Sequence, residues 1–305
     1  MGTVQARAEN VGTSARIFAL AAVAALLLVA LLPGMSRAAH AAATPTATVT
    51  ATAAAPANPV GMWVWQWDDP NSVVSFARTH NVNLIHLYAH PGFTKDPATY
   101  SKVSQTAKLA KMYGIAVYAL GGDPSWVLNP EAGALWADEI VASKLFTGMN
   151  VGVEPQQYPD WETNKDVYAQ QYVTAMLAVK AHKGKMKLDV SLPWWYHMVA
   201  VGAGSDLTSE TIKLADSVTI ITYADTVDGV NYDAKPAAQK ATLAKKPFRF
   251  ASETNNSGTL WVDFYTQPAT DMYQVQDTVY NMWKTNRYFK GFVVHDYTGW
   301  AAMGG

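Results

Sequence analysis

Between residues 62 and 297 the sequence alternates short apolar runs, rich in β-branched and aromatic residues, with stretches of helical periodicity. The runs lie at 62–67, 83–89, 115–120, 149–154, 187–192, 217–223, 248–253 and 291–297. Helical patterning fills most of the gaps, at 72–79, 98–112, 131–145, 166–182, 209–214, 236–244 and 270–283. A chain in which eight runs of two-residue period alternate with seven stretches of 3.6-residue period has few ways to bury both kinds of apolar face. The arrangement this rhythm predicts is a (β/α)₈ barrel, the TIM-barrel class, with eight parallel strands closed on themselves inside a ring of helices. A doubly wound open sheet shares the rhythm. It would usually bring a glycine-rich nucleotide loop after its first strand, where this chain has Trp65-Gln66-Trp67-Asp68.

The domain so defined spans 59–305, and what precedes it reads differently. An uninterrupted apolar stretch at 17–32 follows Arg7 and Arg16 and is itself followed by Pro33-Gly34 and then Ala39-His40-Ala41. Positive flank, short apolar run and small-residue site make 1–41 a secretory signal, with a retained membrane anchor as the competing reading. Residues 42–58 are almost wholly Ala, Thr and Pro, a composition that cannot bury a core and reads as a disordered linker. The expectation is a secreted, extracellular chain beginning near Ala42 and free of the membrane after cleavage. Cysteine is absent, which excludes disulfides, thiolate zinc sites and cysteine nucleophiles, so the exported fold rests on its core alone. With 50% hydrophobic and 15% charged residues that core can be large. A net charge of −1, with basic residues scattered and no run beyond pairs such as Lys245-Lys246, argues against a nucleic-acid partner.

A barrel places its chemistry at the carboxyl ends of its strands. Strand one ends in Trp65-Gln66-Trp67-Asp68, strand two in His86-Leu87-Tyr88-Ala89-His90, and strand three runs into Asp123-Pro124-Ser125-Trp126. Strand four ends in Gly152-Val153-Glu154-Pro155 and strand five in Pro193-Trp194-Trp195-Tyr196. Strand six closes on Thr222-Tyr223-Ala224-Asp225, strand seven on Glu253-Thr254-Asn255, and strand eight on His295-Asp296-Tyr297 with Trp300 beyond. Carboxylates interleaved with Trp and Tyr on one rim suit carbohydrate, whose apolar C–H faces stack on aromatic rings and whose hydrolysis uses two carboxyl groups.

Strand alternation sorts these residues by face. Glu154 shares a face with Gly152 and Asn150, Glu253 with Ala251 and Arg249, Tyr223 with Asp225, and Asp296 with Phe292 and Val294. Each has a structural alternative. Glu154 is either a catalytic carboxyl or an acid bonded to loop amides; Glu253 is either catalytic or the partner of Arg249. Asp225 steadies Tyr223 or a substrate hydroxyl, and Asp296 contacts substrate or caps the final turn. Asp123, beside glycine and proline, reads as a turn residue. His86 and His90 line the pocket or bond to backbone, and no third ligand at suitable spacing makes them a metal site. Of Trp194 and Trp195, one is expected in the pocket and one against a loop.

At these residues the sequence resembles a set of secreted glycosidase-like barrel proteins. Val153-Glu154-Pro155, Pro193-Trp194-Trp195-Tyr196, Glu253-Thr254-Asn255 and His295-Asp296-Tyr297 match that set's strand-end motifs in order. More distantly it is similar to glycoside hydrolase family 18, the chitinase family, whose strand-six Tyr-Asp corresponds to Tyr223 and Asp225 and whose acid corresponds to Glu154. That family carries three aspartates before its acid, and here those positions are Thr147, Asn150 and Gly152. The third aspartate orients the substrate N-acetyl group, so its replacement by Gly152 speaks against substrate-assisted cleavage. A protein nucleophile is needed instead, and Glu253 on strand seven resembles that of the clan A retaining glycosidases.

Together these readings predict a secreted glycoside hydrolase acting on a polysaccharide or glycoconjugate, with retention of configuration. Glu154 is the expected general acid/base and Glu253 the nucleophile or, with the carboxyls further apart, the base that activates water, with Tyr223 and Asp225 steadying the sugar. Trp65, Trp67, Tyr88, Trp126, Trp194, Trp195, Tyr196, Asp296 and Trp300 are the expected substrate-binding residues. No cofactor or metal is implied. The alternative is a non-catalytic barrel that binds glycan at the cell wall, with the linker as a spacer.

Overall fold

The computed structural model describes residues 58–303, so the signal and all but the end of the linker lie outside the described residues. Asn58, expected in the linker, is already buried and donates to Asp277 at 2.6 Å.

Eight parallel strands close into a barrel in sequence order: β1 (Val60–Val64), β2 (Val82–Tyr88), β3 (Ala116–Gly121), β4 (Gly148–Val151), β5 (Lys187–Pro193), β6 (Ser217–Ile221), β7 (Phe248–Glu253) and β8 (Phe289–His295). The (β/α)₈ expectation holds. Helices follow each strand: α1 (Pro70–Thr79), α2 (Pro97–Met112), α3 (Pro130–Ser143), α4 (Trp161–His182), α5 (Leu207–Leu214), α6 (Val227–Leu243), α7 (Ala269–Trp283) and the short α8 (Tyr297–Ala302).

The helix starts are written in the sequence. Asp69 and Asp96 each precede a proline at the first helical position, and each side chain accepts backbone N–H groups of the opening turn. Asp206 and Thr226 cap α5 and α6 in the same way. Helix α6 begins nine residues before its expected start at 236, because Gly229 and Pro236 inside it break the apolar pattern that would have announced it.

The two faces of the strands differ in chemistry. Toward the helices stand aliphatic and phenylalanine side chains such as Met62, Ile85, Val151, Val190, Ile220, Phe250 and Val294. The barrel interior is polar in its middle. The Asn150 amide donates to Asp189 at 2.6 Å and accepts from the Trp63 indole at 2.9 Å and Ser191 at 3.1 Å, while Ser217 and Thr219 donate to Asp189 at 2.5 and 2.7 Å. A fully buried Asp189 is tolerable there because its oxygens are satisfied. His86, fully buried beside Trp63 and Tyr118, has neither ring nitrogen hydrogen-bonded. Burial, with Asp189 opposing and Arg249 assisting, drives its pKa down to about 4. Asp189 and this histidine form the floor beneath the site, and His86 neither lines the pocket nor bonds to backbone.

Candidate active site

A pocket of about 790 Å³, counting its open mouth, lies over the carboxyl ends of the strands. Trp63, Leu120 and Ile221 make its apolar floor, Trp65, Trp194 and Trp195 its aromatic walls, and Glu154, Tyr223, His295, Gln156 and Ser191 its polar groups. No Lys or Arg lines it, which suits a neutral sugar better than an anionic one.

Glu154 stands just past β4, held from both sides. Val153 is fully buried in the helix-facing core, and Pro155, also buried, opens a single 3₁₀ turn. The Tyr196 hydroxyl donates to Gln156 in that turn at 2.8 Å. Gln157 donates to Glu154 Oε2 at 2.8 Å. Burial raises the Glu154 pKa above the ordinary glutamate range, against the opposing pull of Gln157 and His295. A largely buried carboxyl that holds its proton more tightly than usual, facing an aromatic pocket, is equipped to donate that proton.

Glu253 ends β7 nearly buried and does not pair with Arg249. Its Oε1 accepts from the backbone N–H groups of Thr254 at 2.9 Å and Asn255 at 2.8 Å and from the Asn255 amide at 3.1 Å. Its Oε2 meets Nδ1 of His295 at 2.8 Å. Burial works against charge on this imidazole, but Glu253, then Asp296 and Glu154, outweigh it and lift the His295 pKa to about 9. The Trp65 indole N–H lies 3.1 Å from Nε2, an arrangement that suits an unprotonated nitrogen. Two surroundings therefore compete over the Nε2 proton. Tyr223 lines the pocket between these groups, and burial followed by the Glu253, Glu154 and Asp296 carboxylates keeps its phenol neutral far above pH 10.

The structure gathers Glu154, Tyr223, Trp65, Trp194 and Trp195 in one pocket, with Glu253 behind its wall. Both tryptophans of the Trp194-Trp195 pair line it, Trp195 also resting edge-on against Tyr196 and Trp161, so the expected division of the pair does not occur. Tyr88 lies just outside, half-buried against Trp65 with ring centroids 5.3 Å apart. Asp225 is held by Gln267 at 2.9 Å and lies off the pocket wall.

Five expected binding residues belong elsewhere. Trp67 is buried and donates to Thr106 at 3.0 Å, because β1 ends at Val64 and the chain has already turned toward α2. Trp126 is buried against Trp136 and fills the space left by Gly133, where a Cβ would come within 2.9 Å of its ring. Tyr196 is fully buried and braces the turn that carries Gln156. Trp300 is buried with its N–H on Tyr273 at 2.9 Å. Asp296 caps α8 through the Gly299 N–H at 3.0 Å and accepts from Asn255 at 3.2 Å. In β8 it is Val293 and His295 that face inward, while Phe292 and Val294 pack toward the helices. His295 is therefore a site residue that alternation does not single out, although it stands in the matched His295-Asp296-Tyr297 motif. His90 bonds to the Pro91 carbonyl and Asp123 caps a turn through the Ser125 N–H, both in their structural roles.

No family model matches this sequence, and no curated protein matches it either. Solved structures do resemble it. A GH18 chitinase from Pseudoalteromonas aurantia aligns with a TM-score of 0.53 at 11% identity, covering 79% of this chain and 94% of that one. A chitinase from Chromobacterium violaceum aligns at 0.50 with 13% identity, covering 81% and 98%. A β-mannanase from the blue mussel Mytilus edulis aligns at 0.50 with 11% identity, covering 81% and 90%. What they share with this chain is the fold. The chain spans nearly their whole length, so the likeness is one of complete barrels.

Gly152, which stands where family 18 has its last aspartate, has room beside it. A Cβ there would meet only the Ser191 Cβ, at 3.7 Å. The missing carboxylate leaves open pocket floor.

Proposed function

We propose that this chain is a secreted hydrolase of glycosidic bonds in a neutral polysaccharide or glycoconjugate, working without a cofactor. The observation that carries the reading is Glu154: a carboxyl with a raised pKa at the end of β4, in a pocket walled by Trp65, Trp194 and Trp195. The indoles bind the sugar faces. Glu154 gives its proton to the leaving oxygen as the glycosidic bond breaks, and Glu253 attacks the anomeric carbon from the other side. Glu154, now ionised, takes a proton from water, which displaces Glu253 and regenerates both groups with retained configuration. The four N–H groups around Glu253 fix its orientation, and attack requires Oε2 to exchange the His295 Nδ1–H for the sugar carbon. Tyr223 and Asp225 steady the ring and the loop beside it.

A second reading rests on one observation: His295 reaches the pocket and Glu253 does not. In that reading Glu253 works through His295 on an attacking water, and the product is inverted.

Azide separates the roles. Glu154→Ala should still cleave an aryl glycoside with a good leaving group in its first step, and azide should accelerate the second to give a glycosyl azide of retained configuration. Glu253→Ala should be inactive, with azide yielding the inverted product. Full activity in Glu253→Ala would remove it from the reaction. A wild type that binds glycans but turns over none across a broad panel would make the barrel a binding module.

A further inference from the structure

All eleven tryptophans of the chain fall among the described residues, and ten of them are buried or half-buried. Trp261 is the exception at 59% exposed, and it stands with φ at +67° in the left-handed region that bulky residues avoid. Nothing in folding favours an indole held in water on strained backbone; such outliers persist where the surroundings over-determine them. Here they do. The Trp261 carbonyl accepts the Asp225 N–H at 3.1 Å, tying it to the segment that carries Tyr223. Val262 next to it is buried in the same small cluster as Trp63, Tyr223 and Ala251, at the pocket floor. Asp263 pairs with Glu253 as an isolated parallel bridge, accepts the Ser257 and Tyr265 N–H groups, and is followed by Phe264, whose N–H bonds the Glu253 carbonyl. The loop is thus stitched to the ends of β6 and β7, and Trp261 is mounted on it next in sequence to Val262 of the pocket-floor cluster.

We propose that Trp261 is an outer stacking platform for a second portion of the substrate, so that the site accepts a chain of pyranose units extending beyond the pocket. This rests on the pocket being a sugar site. An exposed indole on fixed backbone loses little freedom when a sugar face settles on it, so stacking there converts efficiently into affinity. The occupant is a glycan rather than a protein because Trp261 adjoins, through Val262, the buried cluster that holds Tyr223 of the aromatic-walled pocket.

The test is chain length. The Glu154→Gln protein, which keeps the pocket while suppressing turnover, is titrated calorimetrically with cello-, chito- and manno-oligosaccharides of two to six units. Affinity for the series the pocket accepts should rise with length. Adding Trp261→Ala should cost roughly threefold to tenfold on the six-unit sugar and nothing on the two-unit one, with Trp261→Phe recovering part of the loss. Equal affinities in both proteins at every length, or no binding to any series, would overturn the platform. So would a shift in oligomeric state caused by Trp261→Ala, which would assign the face to a second copy. The hydrolase reading fails separately. If long chains bind through Trp261 and the protein with Glu154 intact hydrolyses none, the platform stands and catalysis falls; if short aryl glycosides are cleaved and Trp261→Ala changes nothing on long chains, the reverse holds.

Discussion

Raising the pH from 6.5 to above 9 strips the proton that His295 shares with its carboxylate neighbours. Burial disfavours that proton, but Glu253 at 2.8 Å, with Asp296 and Glu154, lifts the pKa from 6.5 to about 9. The unfolded chain releases the same proton near 6.5, so between those values only the folded chain carries it. The stabilisation is therefore complete below pH 6.5, falls by about 1.4 kcal/mol per pH unit across the window, and is gone above 9, an amount of about 3 kcal/mol. His86 works in the opposite sense. Its folded pKa of about 4 lies below 6.5, so the unfolded chain binds the proton first and stability is lost as pH falls from 6.5 toward 4, again by about 3 kcal/mol. The two histidines together place a stability maximum near pH 6.5. Urea unfolding at half-unit steps from pH 4.5 to 9.5 measures it on wild type, His295→Gln and His86→Leu. The gap between wild type and His295→Gln should narrow by about 3 kcal/mol from pH 6 to 9.5, and His86→Leu should flatten the acid limb. A gap independent of pH would refute the assignment of the proton to His295.

Other expectations follow from the same contacts. Trp194→Ala should weaken glycan binding with little loss of stability, whereas Trp300→Ala, which empties a buried site, should cost about 3–5 kcal/mol in denaturant unfolding. In the proposed mechanism Glu154 acts protonated, so the basic limb of the kcat/KM profile should lie above the ordinary glutamate range, and Glu154→Gln should abolish that limb together with activity on poor leaving groups. At Gly152 an added Cβ meets nothing nearer than 3.7 Å, and Gly152→Asp sets a second carboxylate two residues from Glu154, so it should move that basic limb to still higher pH; an unmoved profile would mean the new carboxylate does not face Glu154.

Much of this architecture is legible in the sequence because its signals are local. An aspartate before a proline marks the starts of α1 and α2, and the alternation of periods marks every strand. Glu154 was legible for a related reason: a charged residue closing a strand whose other face is Met149, Val151 and Val153 has only the inner face to occupy. The errors come where no local signal distinguishes the faces. In β8 both faces are apolar, since Val293 and its neighbours Phe292 and Val294 are alike, so alternation alone gave no reason to prefer His295 over Asp296. Trp67, Trp126 and Trp300 sit within a few residues of strand ends, but whether an indole there turns to the pocket or under a helix depends on partners such as Thr106, Trp136 and Tyr273, distant in sequence. Trp261 carries no local signal, because its loop is shaped by contacts with β6 and β7 rather than by its own sequence.

The most direct test of a two-step reaction shared by Glu154 and Glu253 is the anomeric configuration of the first product. Proton NMR of wild-type hydrolysis, recorded before mutarotation equilibrates the sugar, reads it in one experiment. The product should carry the configuration of the bond that was cleaved. An inverted product would contradict a covalent intermediate on Glu253 and transfer the attack to a water held by His295.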